Sequence, residues 1–267
     1  MYPHPIIFGI GLYEILLTLA LLVALFLADK MGMMRGFSVK LQKLLILGFI
    51  VAVVCALFGA VFFQAIYNAL KTGEFRLQGA GMTFYGGLIF GVAAFLGVWF
   101  GVGRFYCPKG EPKEKFGALA DMAACLIPLS HGLGRLGCFT AGCCHGKVTS
   151  KWYGVTMYTR EGWQKVVPVQ LFEAIFLFAL AGVLLWLFFG KFGKENKGRF
   201  PLLPIYCIGY GLWRFCIEYA RADERGQTVV SFLTPSQLIA VLMVAAGVVY
   251  VFIWLKSCKK ATRNIEE

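Results

Sequence analysis

Seven windows of about 20 apolar residues, each long enough to cross a bilayer as a helix, constrain this chain more than any other feature. They lie near Ile6–Leu27, Leu44–Tyr67, Thr83–Val102, Gly117–Leu133, Val169–Gly190, Pro201–Ala220 and Thr234–Leu255. With 59% of 267 residues hydrophobic and only 15% charged, the composition excludes an ordinary soluble domain. The expected fold class is all-α: a polytopic membrane protein with seven transmembrane helices. No fixed-period repeat and no long soluble insertion interrupts the pattern, so residues 1–267 are expected to form a single membrane-embedded domain. The first window follows MYPHP without a basic n-region or a small-residue cleavage site, and is expected to be a retained helix.

The net charge of +12 would fit a nucleic-acid binder, but its placement points to a membrane, with no nucleic-acid partner. Alternate assignment of the loops puts four basic residues on each presumed cytoplasmic piece. These are Lys30, Arg35, Lys40 and Lys43; Arg104, Lys109, Lys113 and Lys115; Lys191, Lys194, Lys197 and Arg199; and Lys256, Lys259, Lys260 and Arg263. The loop between the second and third windows has only Lys71 and Arg76, and the tail before the first has none. The positive-inside rule therefore favours N-out, C-in. Membrane lipids are the expected surroundings of the basic loops.

The fourth window runs into Ser130–Gly146, SHGLGRLGCFTAGCCHG, a poor lipid-facing helix and the place to look for chemistry. Gly132, Gly134, Gly137, Gly142 and Gly146 free the backbone to bend and to approach a ligand closely, and Arg135 offers a fixed cationic fork suited to phosphate. Cys138, Cys143, Cys144, His145 and His131 crowd the same stretch. These residues leave several chemistries open: phosphate or phospholipid handling by Arg135 and Arg214; a soft-metal site; thiol redox chemistry; or a disulfide that only braces the bend. Against the metal stands the absence of a C-x2-C knuckle, and adjacent Cys143 and Cys144 are awkward ligands for one tetrahedral ion. The remaining cysteines fall within apolar windows or on presumed cytoplasmic pieces, where thiols stay reduced.

Other ionisable groups inside the windows are expected to face the bundle. Asp121 calls for a partner such as Arg135 or a hydroxyl, and Glu14 sits near an interface. Gln170 and Glu173 share one face of the fifth window, and Tyr210, Arg214, Glu218 and Arg221, spaced four, four and three apart, line one stripe of the sixth. Ahead of the third window the glycines of LQGAGMTFYGG allow a bent entry around Tyr85. Between Lys147 and Pro168 the alternation of aromatic and polar residues predicts a small outer arm or β-hairpin after the fourth helix. Trp152, Tyr153, Tyr158 and Trp163 on this arm suit the membrane surface.

Taken together, GMTFYGG, the Ala120-Asp121 pair, GRLGCFTAGCCHGK, PVQLFE and YGLWRFCIEYAR, in this order over most of the chain, resemble the bacterial prolipoprotein diacylglyceryl transferases. The resemblance implies a multi-pass inner-membrane enzyme with its active site toward the outer side. It implies transfer of a diacylglyceryl group from phosphatidylglycerol to the lipobox cysteine of a prolipoprotein, with glycerol phosphate leaving and no cofactor or metal. Matched residue by residue, it makes Arg135 and Arg214 the phosphate ligands, Glu218 and Tyr210 their supports, and Tyr85 the catalytic position. Gly137, Gly142, Gly146, Gln170 and Glu173 become parts of the substrate site. The chain departs from the family pattern at three polar positions: Tyr85 stands where the family has histidine, Cys138 where it has asparagine and Cys143 where it has glutamate. A phenol of ordinary pKa about 10 is a weak base at neutral pH. A divergent enzyme acting on another acceptor, or a thiol-redox or metal-binding protein using Cys138, Cys143, Cys144 and His145, is the alternative expectation.

Overall fold

The computed structural model describes residues 10–159, 162–190, 201–222 and 233–266. The start of the first window at Ile6 and the basic residues Lys191, Lys194, Lys197 and Arg199 lie outside the described residues. In chain order the elements are α1 (Leu12–Met34), α2 (Val39–Thr72), α3 (Phe84–Tyr106, with a π-helical stretch at Gly97–Val102) and α4 (Phe116–Thr140). A hairpin of β1 (Val155–Thr159) and β2 (Gly162–Val166) follows, then α5 (Val169–Phe189), α6 (Leu202–Ile217, continued by a 3-10 turn at Glu218–Ala220) and α7 (Pro235–Glu266). The antiparallel hairpin pairs Val155 with Val166 and Tyr158 with Trp163, on the arm expected from its alternation.

Six of these helices are long and apolar enough to cross a membrane. The fold is thus an all-α polytopic membrane protein carrying one small hairpin. The sixth window differs from the rest. Its helix α6 has 16 residues, about 24 Å at 1.5 Å per residue, and tightens into the 3-10 turn where Glu218 begins.

The described residues pack as two compact units, with boundaries inside α1 and α4. The unit spanning Leu25–Leu119 is built on α2 and α3. Ser38 caps α2 by accepting the Leu41 N–H at 3.1 Å, while its own N–H and hydroxyl donate to the Glu111 carboxylate at 2.8 and 2.7 Å. Gly73, at φ 78°, closes the other end of α2 in the left-handed conformation. The two helices approach closely because Gly59 faces α3: a Cβ there would lie 2.5 Å from Phe90.

The other unit comprises α1 as far as Ala24 and everything described from Ala120 on. Here α5, α6 and α7 pack with the Phe176 and Trp213 rings stacked at 4.4 Å and Gly211 set against the Ala240 carbonyl. Thr234 starts α7 with a reciprocal cap. Its hydroxyl accepts the Gln237 N–H at 3.2 Å, and its own N–H donates to Gln237 Oε1 at 3.1 Å.

The glycine stretch differs from the expectation. Helix α4 does not bend after Leu133 but continues through Gly132, Gly134 and Gly137 to Thr140. Helix–helix packing is the reason: a Cβ on Gly132 would lie 2.7 Å from the Phe178 ring, and one on Gly137 would lie 2.9 Å from Tyr13. These two glycines are spacers inside a helix. The chain turns only beyond them, with Gly142 at φ 71° and Cys144 at φ 59°.

Candidate functional site

The site grows from a buried acid. Proline at 168 introduces α5 and sets Gln170 and Glu173 in its first turns, both fully buried at 0% exposure. A carboxylate so placed needs cations and hydrogen-bond donors, which three other segments supply. From α4, Arg135 brings Nε to 3.0 Å from Glu173 Oε2, and His131, one turn earlier, brings Nε2 to 3.9 Å from Oε1. From α6 the Tyr210 hydroxyl donates to Oε1 at 3.1 Å, and from beyond the 3-10 turn Arg221 Nη1 approaches Oε2 to 3.6 Å. The Arg135 Nε–H itself points at His131 Nε2, 3.2 Å away, so its attraction to Glu173 is one of charge rather than an aligned hydrogen bond.

A second acid extends the network. Glu218 Oε2 lies 2.8 Å from Arg214 Nη2 and 4.0 Å from Arg221 Nε, and Glu218 Oε1 accepts the Thr234 hydroxyl at 2.9 Å. Arg214 Nη2 also donates to Ser236 Oγ at 2.9 Å. The α7 cap therefore holds the acid of one pair while its first turn holds the base. The ion pairs run Arg135, Glu173, Arg221, Glu218, Arg214: three guanidinium groups against two carboxylates. Arg214 Nη1 is buried with no hydrogen-bond partner among the described residues, as is Gln170 Oε1. A chain of guanidinium groups with an unspent donor among the described residues is an arrangement that receives an anionic oxygen ligand, phosphate above all.

Beside this network runs the loop after α4. Gln170 Nε2 donates to the Cys143 carbonyl at 2.7 Å, the Gly146 N–H donates to the Val167 carbonyl at 2.9 Å, and the Lys147 N–H to that of Ala220 at 3.0 Å. Glycine is required at 146, since a Cβ would lie 2.5 Å from the Ala220 carbonyl oxygen. The sulfurs of Cys138, Cys143 and Cys144 lie within 4.8 Å of one another, with all three thiols free. Hydrogen bonds from Cys138 and then Cys143, with Arg221 and Arg135 nearby, hold the Cys144 thiol below the ordinary range, while bonds with Cys138 and then Cys144 push Cys143 up. His145 is not one of the cluster, and its Nδ1 lies 3.0 Å from the Gly146 carbonyl oxygen.

Comparison with known proteins is decisive about kinship. Residues 5–253 match the model of the prolipoprotein diacylglyceryl transferase family. The chain belongs to that family. Among its relatives, the phosphatidylglycerol–prolipoprotein diacylglyceryl transferase 2 of Clostridium perfringens is 29% identical over 254 residues, 91% of each chain. The phosphatidylglycerol–prolipoprotein diacylglyceryl transferase of Clostridium tetani is 30% identical over 91% of this chain and 93% of its own. That of Actinobacillus pleuropneumoniae is 33% identical over 76% of this chain and 72% of its own.

Within this diacylglyceryl transferase the residues picked from sequence fall into groups. Arg135, Arg214, Glu218, Tyr210 and Glu173 join in one buried network, and Gln170, Gly142 and Gly146 shape the adjoining loop. Gly137 serves the packing of α4 on Tyr13. Tyr85 belongs to the other unit, at the start of α3, 38% exposed with its ring edge-on to Phe84. Asp121 accepts the Leu202 N–H at 2.7 Å at the start of α6, while the salt-bridge partner of Arg135 is Glu173. Sequence reasoning gave no place in the site to Thr234 and Ser236. Arg221 was visible on the stripe of the sixth window and His131 in the glycine stretch, each without the partner that the structure gives it.

Proposed function

We infer that this transferase moves the diacylglyceryl group of phosphatidylglycerol to the lipobox cysteine thiol of a prolipoprotein. The acceptor sulfur forms a bond to the glycerol carbon, the bond from that carbon to the phosphate oxygen breaks, and glycerol phosphate departs. Such a displacement needs cations that meet the charge gathering on the leaving phosphate. Arg135 and Arg214 fill this role, with Glu173 and Glu218 fixing their positions and Tyr210 orienting Glu173. Gly142, Gly146 and Gln170 shape the wall of the substrate site. The observation that carries the reading is, among the described residues, the chain of three guanidinium groups on two buried carboxylates, with Arg214 Nη1 unspent.

The same reading places the protein in the bacterial inner membrane as one domain of seven spans, N-out and C-in, with the site and the hairpin toward the outer side. The charge pattern of the loops supports this orientation. Exposed Tyr158 and Trp163 on the hairpin, and Trp152 just before it, support contact of this arm with the outer interface.

The test is transfer in lipid nanodiscs containing phosphatidylglycerol and a lipobox peptide, with the thioether product read by mass spectrometry. Arg135→Ala and Arg214→Ala are each expected to lower the rate by at least about 100-fold, as for loss of one donor to developing charge. Absence of product from the wild-type protein, or an Arg135→Ala variant as fast as wild type, would refute the assignment.

A further inference from the structure

The three thiols beside the guanidinium network are not needed for phosphate binding, yet the loop is built to gather them. Cys138 stands in the last turn of α4. Gly142 and Cys144, both at positive φ, turn the chain so that Cys143 and Cys144, although adjacent, bring their sulfurs to one locus with that of Cys138. Gln170 and the Gly146 backbone pin the loop on either side. The objection from sequence to adjacent cysteines is thus answered by geometry.

We propose that Cys138, Cys143 and Cys144 form a three-thiolate zinc site whose fourth position takes the acceptor thiol. Three protein ligands with one open position are the pattern of catalytic rather than structural zinc. With Zn–S bonds of about 2.3 Å, ligand sulfurs lie about 3.8 Å apart. Those here are all within 4.8 Å, so each closes by no more than a small side-chain rotation. Cys143 is exposed, which leaves that face of the cluster open to an incoming group. Three thiolates around a dication carry one net negative charge, and Arg135 and Arg221 act on the cluster with the opposite sign.

The inference rests on the transferase reading and supplies its nucleophile. On binding zinc the acceptor thiol releases its proton to water, because a coordinating thiol is deprotonated outright. Its sulfur then bonds to the glycerol carbon as the bond from carbon to phosphate oxygen breaks, and glycerol phosphate leaves. The neutral thioether binds zinc weakly and departs, returning the fourth position.

The experiment uses the full-length protein in nanodiscs, equilibrated with zinc, freed of excess and assayed for bound metal by mass spectrometry. About one zinc per chain is expected, and none in C138S/C143S/C144S, whose helical content by circular dichroism should match wild type. Cobalt replacing zinc should give a thiolate-to-metal absorption band, and a lipobox peptide, but not its serine counterpart, should shift it. Chelation of the wild-type protein should abolish transfer, and zinc should restore it without any mutation. Zinc uptake no greater than that of the triple variant, three-coordinate copper in preference to zinc, or a cobalt spectrum blind to the peptide would overturn the proposal. Thioether formation undiminished in metal-free protein would also overturn it, leaving the transferase reading intact. Zinc and peptide binding without any product from phosphatidylglycerol would refute the transferase reading and uphold the metal site.

Discussion

Glu173 shows how much can hang on one carboxylate. It is fully buried, with Arg135, Arg221, His131 and Tyr210 directed at it. Glu173→Gln keeps the shape but removes the charge that Arg135 and Arg221 share. Breaking a buried pair in this way is expected to destabilise the protein by about 3–5 kcal/mol and to reduce transfer to background, as read by thermal unfolding in detergent and by thioether yield. Tyr210→Phe removes only a hydrogen bond to a charged acceptor, about 1.5–3 kcal/mol. Its variant should fold with partial activity, and a loss as severe as that of Glu173→Gln would mean that the hydroxyl touches substrate. In the sequence, Gln170 and Glu173 already stood out as polar residues on an apolar face. That Glu173 is the common partner of Arg135 and Arg221 was not legible, because those residues lie 38 and 48 positions away (173 − 135 and 221 − 173).

At the scale of elements, the start of α7 and the loop after α4 do the positioning. Thr234 and Gln237 cap each other, but only the Thr234 hydroxyl also reaches Glu218. Both Thr234→Ala and Gln237→Ala should lose about 1 kcal/mol of stability from the cap. Thr234→Ala alone should lower transfer markedly, and equal effects on activity would show that the cap matters only for folding. Gly146→Ala forces a methyl group toward the Ala220 carbonyl. This variant should keep its helical content by circular dichroism while losing most of its transfer activity, since the displaced loop carries Cys143 and Cys144. Period-3.6 stripes made the helices and the inward faces readable. Glycines misled, because a helix spacer and a hinge have the same letter, and only the rings of Phe178 and Tyr13 distinguish them.

For the whole molecule, orientation is the property that charge placement addresses. Alkaline phosphatase fused after Lys151 is expected to be active, and the same reporter fused after Lys109 inactive, because the proposed N-out, C-in topology puts the first on the outer side and the second on the cytoplasmic side. Reversed activities would invert the proposed topology and put the guanidinium network on the wrong side for an exported acceptor. The short α6 belongs to this scale too. Its 16 residues end at Ile217, with Tyr210 and Arg214 of the polar network inside the helix and Glu218 opening the tighter turn that follows.

The sequence by itself determined that this is a multi-pass helical membrane protein, since a backbone without water must satisfy its own hydrogen bonds and runs of apolar residues leave the helix as the solution. Its motifs also carried the family, and the spacing of Tyr210, Arg214, Glu218 and Arg221 set four members of the buried network on one stripe. Tertiary structure alone decided that Asp121 meets Leu202 and Arg135 meets Glu173, and that three cysteines become one cluster. Those outcomes depend on distances between segments far apart in the chain, and on two residues at positive φ in one turn, which no local pattern of residues encodes.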